Sequence, residues 1–271
     1  MNSVERLVHY IDKLEVEAES IIPDNRPPSG WPSRGEIHIN NLEIKYGLDS
    51  PLVLKGISVN TMAAEKIGIV GRTGCGKSTL ATSFFRFIEA TSGSIVIDDV
   101  DISTIGLKDL RSNITIIPQD PVLFNVIHSV SDQENNEPIT LDSPVKENGA
   151  NFSQGQQQLI AIARALVRNS KLIIMDEATA STDFKTDHLI QTTIREEFKD
   201  STVITIAHRL RTIVDYDKIL VMDAGNVVEF DIPYLLMQKP DGWFRGMCEK
   251  SGEFAELINI AKQKYEKISL A

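Results

Sequence analysis

The stretch Lys66-Ile67-Gly68-Ile69-Val70-Gly71-Arg72-Thr73-Gly74-Cys75-Gly76-Lys77-Ser78-Thr79-Leu80 decides the fold. It opens as a short apolar run ended by glycine, the mark of a buried strand, and continues into STLATSFFRFI, which can start a helix. Between the two, the residues fit G-x-x-x-x-G-K-[ST] without mismatch. Glycines let the backbone bend until successive N–H groups converge on phosphate oxygens, and the helix N-terminus adds partial positive charge at the same point. Lys77 is expected over the β- and γ-phosphates, and the Ser78 hydroxyl on Mg²⁺. Gly71, Arg72, Thr73, Gly74, Cys75, Gly76, Lys77, Ser78 and Thr79 therefore read as the binding loop for a nucleoside triphosphate. The loop alone does not choose between kinase, GTPase and transporter.

Outward from this loop, EIHINNLEIKY (36–46), VLKGISVN and SGSIVIDDVDI alternate apolar and polar residues and predict antiparallel strands. IIMD (173–176) and VITIA (203–207) are short apolar runs beside helix-like segments, the pattern of a parallel sheet with helices packed on it. ILVMDAGNVVEF (219–230) predicts a hairpin turning at Asp-Ala-Gly, and Phe254, Leu257, Ile258, Ala261 and Tyr265 recur at helical spacing. At the other end, Val4, Leu7, Val8, Ile11 and Leu14 predict an amphipathic helix, followed by the breaker-rich IIPDNRPPSGWPSRG. That stretch reads as an extended linker, so residues 1–30 form a helix and linker, 31–260 the main domain and 261–271 the end of a terminal helix.

Composition agrees with a folded domain: 42% of residues are hydrophobic, 24% are charged and the formal net charge is −10. An acidic chain without a basic run is not a nucleic-acid coat, so no nucleic-acid partner is expected. Cys75 and Cys248 lie far apart in no metal-like spacing, and a reducing compartment is the simple reading. No apolar stretch approaches the roughly 18 residues of a membrane-spanning helix, so no direct membrane insertion is expected.

About a hundred residues after the loop, the apolar run of KLIIMDEATA ends in Asp176-Glu177. A carboxylate at the C-terminal end of a strand faces the ligand crevice of an open α/β sheet. Asp176 suits the shell of a Mg²⁺ ion, and Glu177 is placed to polarise an attacking water. Two acids after a core strand are common by themselves; behind such a loop they gain meaning.

Between loop and acids lies NFSQGQQQLIAIARAL. Phe152-Ser153-Gln154-Gly155-Gln156 resembles the signature motif of the ATP-binding cassette superfamily, usually L-S-G-G-Q, with its helix. Gln119 in IIPQD resembles the Q-loop glutamine that reaches Mg²⁺ and senses the γ-phosphate. Ser181-Thr182-Asp183 resembles the D-loop, and His208 in TIAHRL the switch histidine. Tyr46 falls where the family stacks an aromatic ring on adenine. The order of all these segments matches the superfamily. WPSRGEIHINNLEIKY, IIPQDPVLF, DEATASTD, TIAHRLRTI and CEKSGEF further resemble the second cassette of multidrug-resistance-associated (C-subfamily) exporters of fungal type, over roughly residues 31–260. VERLVHYIDK resembles the extension leaving the last transmembrane helix, which makes Met1 the equivalent of an internal position in a longer ancestor.

The resemblance implies a P-loop NTPase of α/β class, with a mainly parallel core sheet, an antiparallel β subdomain and a shortened helical subdomain. It implies ATP and Mg²⁺ as cofactors, with Ser78, Gln119 and Asp176 toward the metal. Lys77, Gln119, Glu177 and His208 would serve hydrolysis. Ser153, Gly155, Gln156 and Asp183 would contact nucleotide across a head-to-tail pair with a second cassette. The implied partners are that cassette and the transmembrane domains of an exporter on another chain. The implied place is the cytoplasmic face of a vacuolar or plasma membrane.

Two departures stand out. Gln154 replaces the first glycine of the signature, Phe152 its leucine, and Gln157 stands where arginine is usual. In the subfamily this goes with unequal composite sites, the hydrolytic one being built on this chain's own loop and acids. In addition, residues 120–152 are all that lie between Gln119 and Ser153, where the family fits a helical subdomain that grips the membrane partner. HSVSDQENNEPITLDSPVKENGAN (128–151) is polar and predicts a flexible loop. ATP binding is expected to survive this change and coupling to a membrane partner to be weak. An alternative remains open: a separated cassette that binds ATP without productive hydrolysis or coupling.

Overall fold

Alternation along the chain becomes two sheets in the computed structural model, which describes Val4 and residues 16–47, 49–119, 121, 145–146, 149–176, 184–207 and 209–269. The strands are β1 (Ile37–Ile44), β2 (Leu54–Thr61), β3 (Lys66–Gly71), β4 (Ser92–Ile97), β5 (Val100–Asp101), β6 (Thr115–Ile117), β7 (Leu172–Asp176), β8 (Thr202–Ile206), β9 (Lys218–Asp223) and β10 (Asn226–Asp231). The helices are α1 (Lys77–Ser83), α2 (Leu107–Asn113), α3 (Gln154–Arg168), α4 (Phe184–Glu197), α5 (Pro233–Gln238), α6 (Trp243–Lys250) and α7 (Phe254–Ser269). One sheet is antiparallel, in the order β2-β1-β4-β5; the other runs β10-β9-β3-β8-β7-β6. In the second, β6, β7, β8, β3 and β9 are parallel and only β10 is reversed. The expected class, a parallel core sheet with an antiparallel subdomain, is the observed one.

The burial pattern explains the layering. In β1, Ile37, Ile39, Leu42 and Ile44 point inward, and the slip in alternation at Asn40-Asn41 is a bulge, with Asn41 at φ 44°. The inner residues of β3, β7, β8 and β9 are buried on both faces, as parallel strands between layers must be. On one face Ile69, Ile174, Ile204 and Leu220 meet the antiparallel sheet and Leu80 and Phe84. On the other, Val70, Ile219 and Val221 pack against α5–α7 through Leu236, Phe244 and Leu257. Ile173, Met175 and Val203 pack against α3 and α4 through Ile162, Ala165 and Ile194. Each such side chain, fully buried, contributes about 1.5–3 kcal/mol of transfer free energy.

The proline-rich stretch read as a linker is seated on the domain. Just ahead of it, the backbone carbonyls of Glu19 and Ser20 accept the N–H groups of Leu107 and Lys108, capping α2 from outside at 3.0 and 2.8 Å. The N-cap Gly106 has no side chain to do so. Arg26 forms a fork on Asp109, Arg111 another on Glu17, and Asn25 donates to Thr104 O. Farther on, buried Trp31 donates its indole N–H to Ile97 O at 2.8 Å. Of the N-terminal helix expected over the first residues, all but Val4 lies outside the described residues, as do 128–144 and 147–148 of the expected loop.

Asp98, in the β4–β5 turn, ties this segment down. Its carboxylate accepts the backbone N–H groups of Ser33, Arg34, Gly35 and Glu36 at 2.6–3.1 Å. Burial pushes its pKa up, but the four amide donors outweigh that and hold it below its ordinary 3.8. A depressed carboxylate stabilises the fold above its unfolded pKa, and that gain disappears as pH falls through the folded value. Asp98→Asn is expected to cost about 1–2 kcal/mol at pH 7. The gap from the parent should narrow progressively as pH falls below 3.8, as denaturant titrations at pH 7 and across that acid range would show.

Four elements went unforeseen in the pattern reading: β6, α2, α5 and α6. The helix after the glycine loop is also shorter than STLATSFFRFI suggests. It ends at Ser83, and Arg86 turns the chain with φ 52°.

Candidate functional site

The loop after β3 closes on itself. The Cys75 N–H donates to Arg72 O at 3.2 Å. Lys77, only 8% exposed, donates its ammonium to Gly71 O at 2.8 Å and Arg72 O at 3.0 Å, with Cys75 Sγ at 3.9 Å. The cation thus lies inside the curve of the loop, held by neutral carbonyls that an incoming phosphate can replace with stronger charge-assisted bonds. Gly71 is required by contact: a Cβ there would lie 2.2 Å from Met222 O. Gly76, at φ 100°, is the N-cap of α1 and offers its first turn no side chain. A Cβ on Gly74 would meet nothing within 4 Å, so the loop is open on that side. The β9–β10 turn braces the loop from behind, where Gly225 N–H donates to Cys75 O at 3.2 Å and Gly225 O accepts from Lys55 N–H at 2.9 Å.

Around the loop stand several of the other expected residues. Ser78 is exposed in the first turn of α1, and Thr79 is buried behind it. Thr79 Oγ1 lies 3.0 Å from the hydroxyl of Tyr46, whose side chain is 63% exposed just beyond β1. Asp176 ends β7 opposite Ile206 of β8, whose partner Ile69 lies two residues before Gly71. Gln119 follows β6, and its strand pairs Ile117 with Met175. The parallel register therefore brings Gly71, Asp176 and Gln119 to one edge of the sheet. Glu177, Asp183 and His208 lie outside the described residues; Glu177 follows Asp176 directly, and His208 follows Ala207, whose N–H donates to Ile69 O at 3.1 Å.

The signature segment begins α3. Ser153 is its N-cap: Ser153 Oγ accepts the Gln156 N–H at 3.2 Å, and Gln156 Oε1 accepts the Ser153 N–H at 2.8 Å. Accepting leaves the serine O–H available as a donor. Gln157, in the position usual for arginine, donates to Gly149 O at 2.9 Å. One residue escaped the sequence reading. Gln158, buried at 1% exposure, donates its amide to Gln119 O at 2.6 Å and Pro118 O at 3.0 Å, so the signature helix grips the Q-loop backbone. The only signal was a third glutamine in a row, placed on the inner face of a helix.

The remaining thiol, Cys248, is buried in α6, and burial together with Glu249 pushes its pKa up to about 12. It stays a neutral core group.

A phosphate-binding loop between a central parallel strand and a helix, with a carboxylate at the same sheet edge, defines a P-loop nucleotide-binding domain. Residues 54–180 match the ABC transporter family model. The pleiotropic ABC efflux transporter of multiple drugs YBT1 of Candida glabrata is 46% identical over 98% of this chain and 18% of its own length. ABC transporter C family member 3 of Dictyostelium discoideum is 47% identical over the whole chain and 21% of its own length. Member 13 of the same C family in Oryza sativa is 50% identical over 95% of this chain. The structure of a bacterial Atm1-family ABC exporter with ATP bound superposes with a TM-score of 0.78 at 32% identity, over 92% of this chain and 47% of that one. Residues 54–180 carry an ABC transporter family domain, and the chain as a whole is similar to the ATP-binding cassettes of C-type exporters. It spans about a fifth of the length of these curated relatives.

Proposed function

We propose that the chain binds MgATP and, paired head-to-tail with a second cassette, hydrolyses it to ADP and phosphate to power export through the transmembrane domains of an exporter. The observation that carries this reading is Lys77 held inside a phosphate loop, with Asp176 and Gln119 on the same sheet edge. Exposed Tyr46 offers a ring face for adenine, and the segment from Gly71 to Thr79 holds the phosphates. Ser78 hydroxyl, Gln119 amide and Asp176 carboxylate are oxygen donors, the kind Mg²⁺ takes, and the metal would neutralise phosphate charge. Lys77 adds a fixed cation, Glu177 orients water and His208 holds the γ-phosphate. Ser153, Gly155 and Gln156, together with Asp183, serve the partner cassette's ATP, the Ser153 O–H acting as a donor. This chain's own loop and acids form the hydrolytic composite site, and its irregular signature completes the weaker one.

The place is the cytoplasmic face of a vacuolar or plasma membrane. Coupling to the membrane helices is weak, because the short segment 120–152 cannot build a packed docking surface. The alignment with YBT1 runs over 307 positions, more than the 271 residues of this chain, which supports residues missing here. Co-reconstitution with the membrane half of a C-type exporter in vesicles tests the coupling. ATP should bind, while ATP-driven uptake stays well below that of the intact exporter. Uptake equal to the intact exporter's would overturn the weak-coupling part.

A further inference from the structure

The first residue of the open loop, Arg72, has an unusual neighbour. Its guanidinium carbon lies 5.5 Å from the ring centroid of Trp243, within cation–π range. Among the described residues its side chain makes no ion pair and no hydrogen bond. Its backbone is already committed: Arg72 O accepts both the Lys77 ammonium and the Cys75 N–H.

Trp243 is itself firmly held. It is the first residue of α6, where Glu229 of β10 accepts the N–H groups of Trp243 and Phe244 at 3.1 and 2.8 Å. Phe244 next to it is fully buried, while Trp243 remains 40% exposed. Arg72 and Thr73 form one wall of a cleft of about 1320 Å³, and Trp243, Met247 and Lys250 another. The residue whose backbone N–H is held by Glu229 on the strand next to β9 therefore presents its indole to a P-loop guanidinium.

We infer that Trp243 is a positioning residue for the nucleotide site: by holding the Arg72 side chain it preorganises the first turn of the loop and raises ATP affinity. This rests on the reading of the loop as an ATP site. The stack acts through Arg72 and touches no nucleotide itself. Fixing one loop side chain before binding reduces the ordering cost that ATP binding must meet.

The test is a double-mutant cycle read by calorimetric titration with MgATP. Trp243→Ala should weaken binding about threefold, the scale of an exposed cation–π contact. Arg72→Ala should weaken it at least as much, and the double variant no further than Arg72→Ala alone. Trp243→Phe, which keeps a ring face, should recover most of the loss. Indole emission gives a readout that a merely structural role would not move. The chain has two tryptophans, and Trp31 is buried on Ile97 O, so a Trp31→Phe background isolates Trp243. ATP should shift that emission, and Arg72→Ala should remove the shift. Additive losses in the cycle, unchanged affinity in Trp243→Ala, or an emission shift that survives Arg72→Ala would each overturn the inference. An unaltered chain that binds no ATP would instead overturn the reading of the site.

Discussion

Replacing Lys77 with alanine is expected to weaken MgATP binding by roughly 10- to 100-fold, the worth of a charge-assisted hydrogen bond of about 1.5–3 kcal/mol. The side chain is only 8% exposed and is held by two loop carbonyls, so its ammonium is in place before the phosphates arrive. Alanine removes that charge yet suits the first turn of a helix, so stability should hardly change. Lys77→Arg should also bind poorly, because a planar fork does not fit the curve that a compact ammonium fills. Calorimetric titration decides it. An alanine variant with parental affinity, still folded by circular dichroism, would remove Lys77 from the phosphate site.

The second large effect concerns turnover. Glu177→Gln should lower ATP hydrolysis by about 10²–10⁴-fold while leaving ATP binding nearly intact, because the amide keeps the shape and loses the base. In the parent chain, activity per molecule should rise with protein concentration. On the proposed head-to-tail pairing, each loop is completed by the Ser153 end of a second cassette, which two chains would supply to each other. Phosphate release measured over a concentration series checks both statements. Binding with no turnover at any concentration would favour the cassette that binds ATP without hydrolysing it.

Much of this fold is legible along the chain because its strands are of two readable kinds. β1 and β2 alternate, and β3, β7, β8 and β9 are apolar runs bounded by turn residues. The phosphate loop is legible because glycines at 71, 74 and 76 and Lys77 do a local task that local sequence must encode. What escaped depends on distant partners. β6 has three residues, too few for a period, and its middle one, Ile116, is exposed at the sheet edge. α2 reads as polar LKDLRSN, and the carbonyls that cap it come from Glu19 and Ser20. Prolines in IIPDNRPPSGWPSRG do prevent helix, but nothing local says that the stretch is laid against Asp98 and Asp109. In the candidate site, Gln158 and Trp243 act across 39 and 171 residues of chain respectively, and neither carries a motif.

The seating of residues 17–36 also bears on how this domain can be cut. A version started at the tryptophan where the motif resemblance begins would keep every residue of the nucleotide loop. It would also leave the two leading amides of α2 facing water and Asp109 without its guanidinium. Because α2 leads straight into β6 and Gln119, the damage would reach the site by way of its own sheet edge. Boundaries drawn for expression, fusion or domain exchange therefore belong ahead of Glu17, well upstream of the first conspicuous motif.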